Sequence, residues 1–242
     1  MSVMISLFFK NCLVILLLLG MALSCGAEEP GNLVSFDFQC IGLSKDFRRV
    51  DVYFGSGEDQ PRKRVRLGDL SKSLAHHYQG PPLILFYDQP SGGQLVARAQ
   101  LKPSMKSPLF IFNHAPDKSN MKYSVFPIEN DWSEHGVNSY LLINLSSRVL
   151  YWKVGEQRFK LEAKSKHAIS VDGGEEKTPI VVLESKSDGK VSRVYRAKWR
   201  NKANLRRLVF IRDAGPNELG SVRVQVVEDF ERSKSAAAKP EA

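Results

Sequence analysis

Basic side chains carry the most suggestive chemistry in this chain. Arg193, Arg196, Lys198, Arg200, Lys202, Arg206 and Arg207 crowd one short stretch, interleaved with Tyr195 and Trp199. On an extended strand successive side chains point to opposite faces, so Arg196, Lys198 and Arg200 share one face and Tyr195 and Trp199 the other. A row of cations attracts a polyanion, and the planar fork of arginine matches carboxylate and phosphate oxygens. Arg62, Lys63, Arg64 and Arg66 form a second cluster. The competing reading is a solvated sheet face whose charges keep an edge strand from pairing with another chain.

Catalytic and metal-binding patterns are sparse. His76 and His77 are adjacent, whereas two zinc ligands on a helix usually stand four apart on one face. His114, Asp117, Asp131, Glu134 and His135 lie in two segments flanking the run Tyr123–Ile128. If those segments met, they would supply a general base and a carboxylate partner; otherwise they are turns rich in turn-forming residues. No Gly-x-Ser-x-Gly elbow occurs, and Ser-x-x-Lys at Ser119–Lys122 and Ser187–Lys190 lacks the partner motifs that give it meaning. Trp132, Trp152 and Trp199 fit either a sugar-stacking platform or a core, which their large apolar area favours. Asn144-Leu145-Ser146 fits a glycosylation sequon, but it falls on an expected strand. The sequence assigns no catalytic residue, no metal site and no cofactor.

The elements that must position these residues are strands. Short β-branched and aromatic runs alternate with Gly, Pro, Asn, Asp and Ser, which predicts an all-β, antiparallel sandwich. The expected runs are Leu33–Cys40, Val50–Phe54, Arg64–Leu67, Leu83–Tyr87, Leu95–Leu101, Leu109–Asn113, Tyr123–Ile128, Ser139–Leu145, Val149–Val154, Gln157–Leu161, His167–Val171, Ile180–Ser185, Val191–Trp199, Leu205–Arg212 and Ser221–Asp229. Gly155-Glu156 and Asp188-Gly189 mark hairpin turns. Asp69–Tyr78 reads as a helix of two turns stopped by Gly80-Pro81-Pro82. The polar stretch Glu129–Val137 divides the chain into a β domain over 31–128 and another over 137–230, or serves as a long crossover inside one sandwich. Residues 231–242 read as a disordered tail, and no internal sequence repeat stands out.

Composition and the N-terminus set the compartment. Lys10, the apolar run Cys12–Leu23 and the small residues Ser24 to Ala27 have the form of a secretory signal over 1–27. The apolar run is shorter than the ~20 residues that span a bilayer. Small-x-small triplets end before Cys25 and beyond it, and Cys25 also admits a lipoprotein reading that would tether the mature chain to a membrane. Of three cysteines only Cys40 is securely mature, so no internal disulfide is expected, and Cys40 reads as a small buried hydrophobe. The formal charge of +9 on 242 residues is substantial. An exported protein of that charge meets anionic polysaccharide, lipid headgroups or envelope proteins rather than nucleic acid.

The order of segments resembles a group of uncharacterised exported bacterial β-sandwich proteins. The resembling residues are Tyr78-Gln79-Gly80 before Leu83–Tyr87, then Ser139-Tyr140 leading into Ile143-Asn144-Leu145-Ser146, then Val154-Gly155, and Trp199 followed by Arg206-Arg207-Leu208-Val209-Phe210-Ile211. The resemblance implies an exported β-sandwich and transfers no activity or site residue. The expectation is therefore a non-enzymatic structural or interaction module in the periplasm, outer envelope or extracellular space, with the basic strand as its binding element. The alternative is a hydrolase of cell-wall or extracellular polymer using His114, Asp117, Glu134 and His135.

Overall fold

The computed structural model describes residues 33–56, 61–115, 119–133, 135–171, 177–185, 190–202, 204–215 and 218–230. Residues 1–27 with Cys25, Asp117, Glu134, the expected Asp188-Gly189 turn and residues 231–242 lie outside them. The first eight strands are β1 (Val34–Gly42), β2 (Val50–Gly55), β3 (Lys63–Leu67), β4 (His76–Gly80), β5 (Leu83–Tyr87), β6 (Leu95–Gln100), β7 (Pro108–His114) and β8 (Tyr123–Glu129). The second eight are β9 (Ser139–Asn144), β10 (Leu150–Val154), β11 (Gln157–Leu161), β12 (Lys166–Ser170), β13 (Lys177–Ser185), β14 (Val191–Arg200), β15 (Leu205–Asp213) and β16 (Val222–Phe230). Every run expected to be a strand is one.

β4 was not among them. His76 and His77 were expected to end a short helix, yet they pair with Phe38 and Asp37 of β1 in an antiparallel ladder. The cause is tertiary: Tyr78 buries its ring against Phe36 and Phe54, a gain that two isolated helical turns cannot offer. Gly155 adopts φ +58° and closes the β10–β11 hairpin, as the turn chemistry requires.

The strands form four sheets, ordered β4-β1-β7-β8, β3-β2-β5-β6, β12-β9-β15-β16 and β11-β10-β13-β14. Adding eight to each number in the first two sheets yields the second two. Both halves also place a parallel pair centrally, β1 with β7 and β9 with β15. The chain is thus two sandwiches of one topology, a repeat that the sequence does not display.

Three apolar clusters fix how the sheets stack. Phe38, Phe54, Phe86 and Phe110 lie between the two N-terminal sheets. Trp152, Leu142, Val182 and Val209 lie between the two C-terminal sheets. Ile41, Leu109, Ile111, Leu141, Ile143, Leu208 and Phe210 join β1 and β7 to β9 and β15. The order of layers is therefore outer, inner, inner, outer. Where the two inner sheets meet, a strand is covered on both faces, which is why β7, β9 and β15 carry continuous apolar runs, whereas β4, β12 and the start of β1 keep exposed residues beyond that contact. The outer sheets are covered on one face only and alternate, as in β10, where Leu150, Trp152 and Val154 are buried and Tyr151 is exposed.

Candidate polyanion-binding face

The outer sheet β11-β10-β13-β14 turns one face to solvent. Cross-strand register places Arg158, Lys153, Val181 and Arg196 in one row and Lys160, Tyr151, Leu183 and Arg193 in the next. Lys198 and Arg200, opposite Pro179 and Lys177, extend the cationic edge along β14. Arg193 would point inward on a regular strand carrying Arg196 outward. A bulge between Val182 and Leu183 inserts Val194 as an extra residue, and Val194 packs on the core with Tyr195. One additional residue reverses the alternation, so Arg193 rejoins the outward set.

Between the cations runs an apolar stripe. Tyr151 is 40% exposed, and with Val181, Leu183 and the stems of Lys153 and Lys160 it borders a shallow groove of about 600 Å³. Lys160 is ion-paired with Glu162 at 2.7 Å and Lys153 with Glu156 at 3.5 Å, both acids standing at strand ends. Arg193, Arg196, Lys198 and Arg200 make no ion pair or side-chain hydrogen bond with any described residue. All four side chains are exposed.

The remaining members of the basic stretch have other duties. Lys202 pairs with Glu228 at 3.0 Å. Arg206 and Arg207, expected on the binding surface, are 1% and 3% exposed. They lie on β15, an inner strand, where no face is free for a ligand. Register sets Arg206 opposite Asp229 and Arg207 opposite Glu228. Arg206 donates to Asp229 from Nε at 2.8 Å, to the His135 carbonyl from Nη1 at 3.0 Å and to Asn130 Oδ1 from Nη2 at 2.5 Å. Its guanidinium carbon stands 3.9 Å from the centre of the Trp132 ring. Lys72 reaches the same Asp229 at 2.5 Å from the N-terminal half. Burial pulls the pKa of Arg206 down, opposed by the Asp229 charge and hydrogen bond. This cluster staples β15, β16 and the 130–138 connection to the N-terminal sandwich.

The histidines do not converge. His114 pairs with Tyr123 at the start of β8, whereas His135 follows its end. A seven-residue strand, about 20 Å at ~3.3 Å per residue, separates them. His114 instead meets Asp46 at 3.2 Å and stacks on Phe47. Ser35, His77 and Asp37 do line up, with Ser35 Oγ 3.5 Å from His77 Nε2 and His77 Nδ1 2.9 Å from Asp37 Oδ1. That is the connectivity of a hydrolytic triad, but all three are exposed side chains on a sheet surface. Such catalysis also needs donors for an oxyanion and a concave site, and none of these residues lines a described cavity. Among the described residues no group of three His, Cys, Asp or Glu could hold a metal ion.

Trp152 and Trp199 are core residues, and Trp132 lies under Arg206. Asn144 is fully buried and its amide donates to the Arg148 and Glu162 carbonyls, so it shapes a loop rather than offering a glycan acceptor. Cys40 is buried, and desolvation pushes its thiol pKa well up.

No protein-family model matches the chain, and no curated protein matches it. Among solved structures it is similar in part to a Bacteroides uniformis protein named provisionally for cell adhesion. The two are 6% identical over 82% of this chain and 98% of that one, with a TM-score of 0.22. At that distance the likeness says nothing of the site.

Proposed function

We propose that this protein is an exported, non-enzymatic interaction module of the bacterial envelope that binds an anionic polysaccharide across the outer face of β11-β10-β13-β14. The supporting observation is the composition of that face: Arg158, Lys160, Arg193, Arg196, Lys198 and Arg200 surround an exposed apolar stripe centred on Tyr151. Cations capture carboxylate or phosphate groups along a polymer. The tyrosine ring offers a flat surface to the apolar face of a sugar. The leader pattern of residues 1–27 supports the compartment. A lipid surface fits less well, because Val181 and Leu183 are half-buried between longer basic side chains, whereas insertion into a bilayer needs apolar groups foremost.

The test is retention of mature protein on immobilised polygalacturonate and on neutral dextran over a salt series, with anionic phospholipid vesicles as a third arm. Retention on polygalacturonate alone, released by salt, is the expected result. Exposed ion pairs contribute about 0.2–1 kcal/mol each, so R196S/K198S/R200S should weaken binding about 3- to 150-fold. Absence of low-salt retention refutes the reading, and binding to vesicles but not to polymer reassigns the face to lipid headgroups.

A further inference from the structure

The topological repeat permits a position-by-position comparison of the two outer sheets. Both contain a bulge at the same place. In the C-terminal sheet Val182 and Leu183 face Tyr195 and Arg193, with Val194 extra; in the N-terminal sheet Phe86 and Tyr87 face Ala97 and Leu95, with Val96 extra. Aligned on these bulges, Tyr87 corresponds to Leu183, and its neighbour Tyr53 to Tyr151. Arg64, opposite Tyr53, then corresponds to Lys160, opposite Tyr151. Arg62 corresponds to Arg158. Leu85 and its partner Arg98 correspond to Val181 and its partner Arg196.

The chemistry matches at five of these six positions: three cations, a tyrosine and an aliphatic residue recur, while Tyr87 stands for Leu183, and Leu95, Gly55 and Gln100 stand where the C-terminal face has Arg193, Lys153 and Lys198. Arg62 is half-buried, lies 3.4 Å over the ring of Tyr87, and donates from Nη1 to the Gln89 carbonyl at 3.2 Å. Asp51 lies beside these cations, held by Arg66 at 2.9 Å and standing 3.9 Å from Arg64. Arg48, Arg49 and Arg66 border an adjoining cavity of about 420 Å³. Arg62 and Arg64 of the second basic cluster are thus the counterparts of Arg158 and Lys160 on β11, and Arg98 on β6 is the counterpart of Arg196 on β14.

We infer that the protein carries two related polyanion-binding faces on opposite sides and bridges two strands of anionic polysaccharide; the inference rests on the reading proposed above. The layer order forces the opposition. The two outer sheets enclose the two inner ones, so their solvent faces point away from each other across three sheet spacings, about 30 Å in all. Two sites so placed cannot engage one short straight segment together, but each can hold a different strand. Linking the sites makes the second capture effectively intramolecular at a polymer mesh, raising retention beyond either face alone.

The experiment is a sandwich capture. Mature protein is loaded onto immobilised polygalacturonate, washed at low salt, and exposed to soluble fluorescent polygalacturonate. Wild type should capture the second polymer. R62S/R64S/R98S leaves the Arg66–Asp51 pair in place and should stay on the column while capturing roughly tenfold less soluble polymer. Circular dichroism of that variant establishes that its substitutions, exposed at Arg64 and Arg98 and half-buried at Arg62, leave the fold intact. Retention of wild type without capture overturns bridging while the single-face reading stands, as does undiminished capture by the variant. Failure of wild type to be retained overturns both.

Discussion

Arg206→Ala separates the structural basic residues from the binding ones. The substitution removes the guanidinium from Asp229, from Asn130 and from the His135 carbonyl, and uncovers the Trp132 ring. Removing one partner of a buried ion pair costs about 3–5 kcal/mol, because the other charge stays buried. Here Lys72 remains on Asp229 at 2.5 Å, so the carboxylate keeps a cation and the loss falls near ~3 kcal/mol. For a chain of this size a kilocalorie per mole moves the melting midpoint about 2–4 °C, giving a drop of about 6–12 °C. The assay is thermal unfolding by near-ultraviolet circular dichroism, paired with the polygalacturonate retention series at a temperature where the variant is folded. Arg206→Ala should melt early and bind as wild type does, whereas R196S/K198S/R200S should melt as wild type does and bind weakly. A variant at position 206 that keeps its midpoint within 2 °C and loses retention would refute the assignment of Arg206 to the interior.

Three further outcomes follow from the same architecture. Glu218 accepts from both terminal nitrogens of Arg212 and from the Gly215 amide, and chiefly through Arg212 its pKa is lowered to about 2 from an ordinary value near 4.5. A depressed carboxylate contributes stability above its unfolded pKa and loses it as pH falls through the folded value. Acid titration of the melting midpoint should therefore show a loss between about pH 4.5 and 2 that is smaller in Glu218→Gln. Cys40 has no accessible surface and a raised pKa, so a thiol reagent should modify native protein only on the timescale of unfolding; prompt labelling would place it elsewhere. Phe210→Ala empties a site in the cluster shared by the two halves, costing about 3–5 kcal/mol. Calorimetry should show one endotherm displaced downward, and an unmoved N-terminal transition would disprove coupling through the shared layer.

Much of the fold was legible in local pattern. Turn residues and β-branched runs located the strands, and large apolar area pointed Trp152 and Trp199 to the core, where they lie. What escaped was anything decided by partners distant in sequence. Gln79 and Gly80 have poor strand propensity, and only the ladder with β1 makes His76–Gly80 a strand. The topological repeat escaped because identities such as Tyr53 with Tyr151, Val96 with Val194 and Arg98 with Arg196 are scattered among positions that differ, and only the shared register and bulge bring them into line. Phe54 and Trp152 occupy equivalent core positions with different side chains.

The basic site was half legible. Alternation placed Arg196, Lys198 and Arg200 together, but a bulge moved Arg193 to their side, and bulges leave little trace in a single sequence. Arg206 and Arg207 were grouped with the rest by proximity alone. Two signals pointed inward. The run Leu208–Ile211 beside them is continuous rather than alternating, as befits a strand covered on both faces. The acids Glu228 and Asp229 also sit on the next strand, positioned to pair with an Arg-Arg dipeptide in an antiparallel hairpin.

The basic outer faces still have a rival explanation in edge protection, since β3, β6, β11 and β14 are all sheet edges. Charge on an edge strand discourages pairing with another chain whatever its sign, so glutamate serves as well as arginine. The sign is what the rival leaves unexplained. In the two central rows of the C-terminal outer face every charged side chain is cationic, including Lys153 on the interior strand β10. Glu184, on the same sheet, is turned inward to Arg148 and Ser221. Edge protection also makes no demand on the middle of a sheet, yet Tyr53 and Tyr151 hold equivalent central positions beside Leu85 and Val181. Three cations and a central tyrosine that recur at equivalent outward positions in both copies, Arg62, Arg64, Arg98 and Tyr53 with Arg158, Lys160, Arg196 and Tyr151, are better explained by a ligand than by solubility.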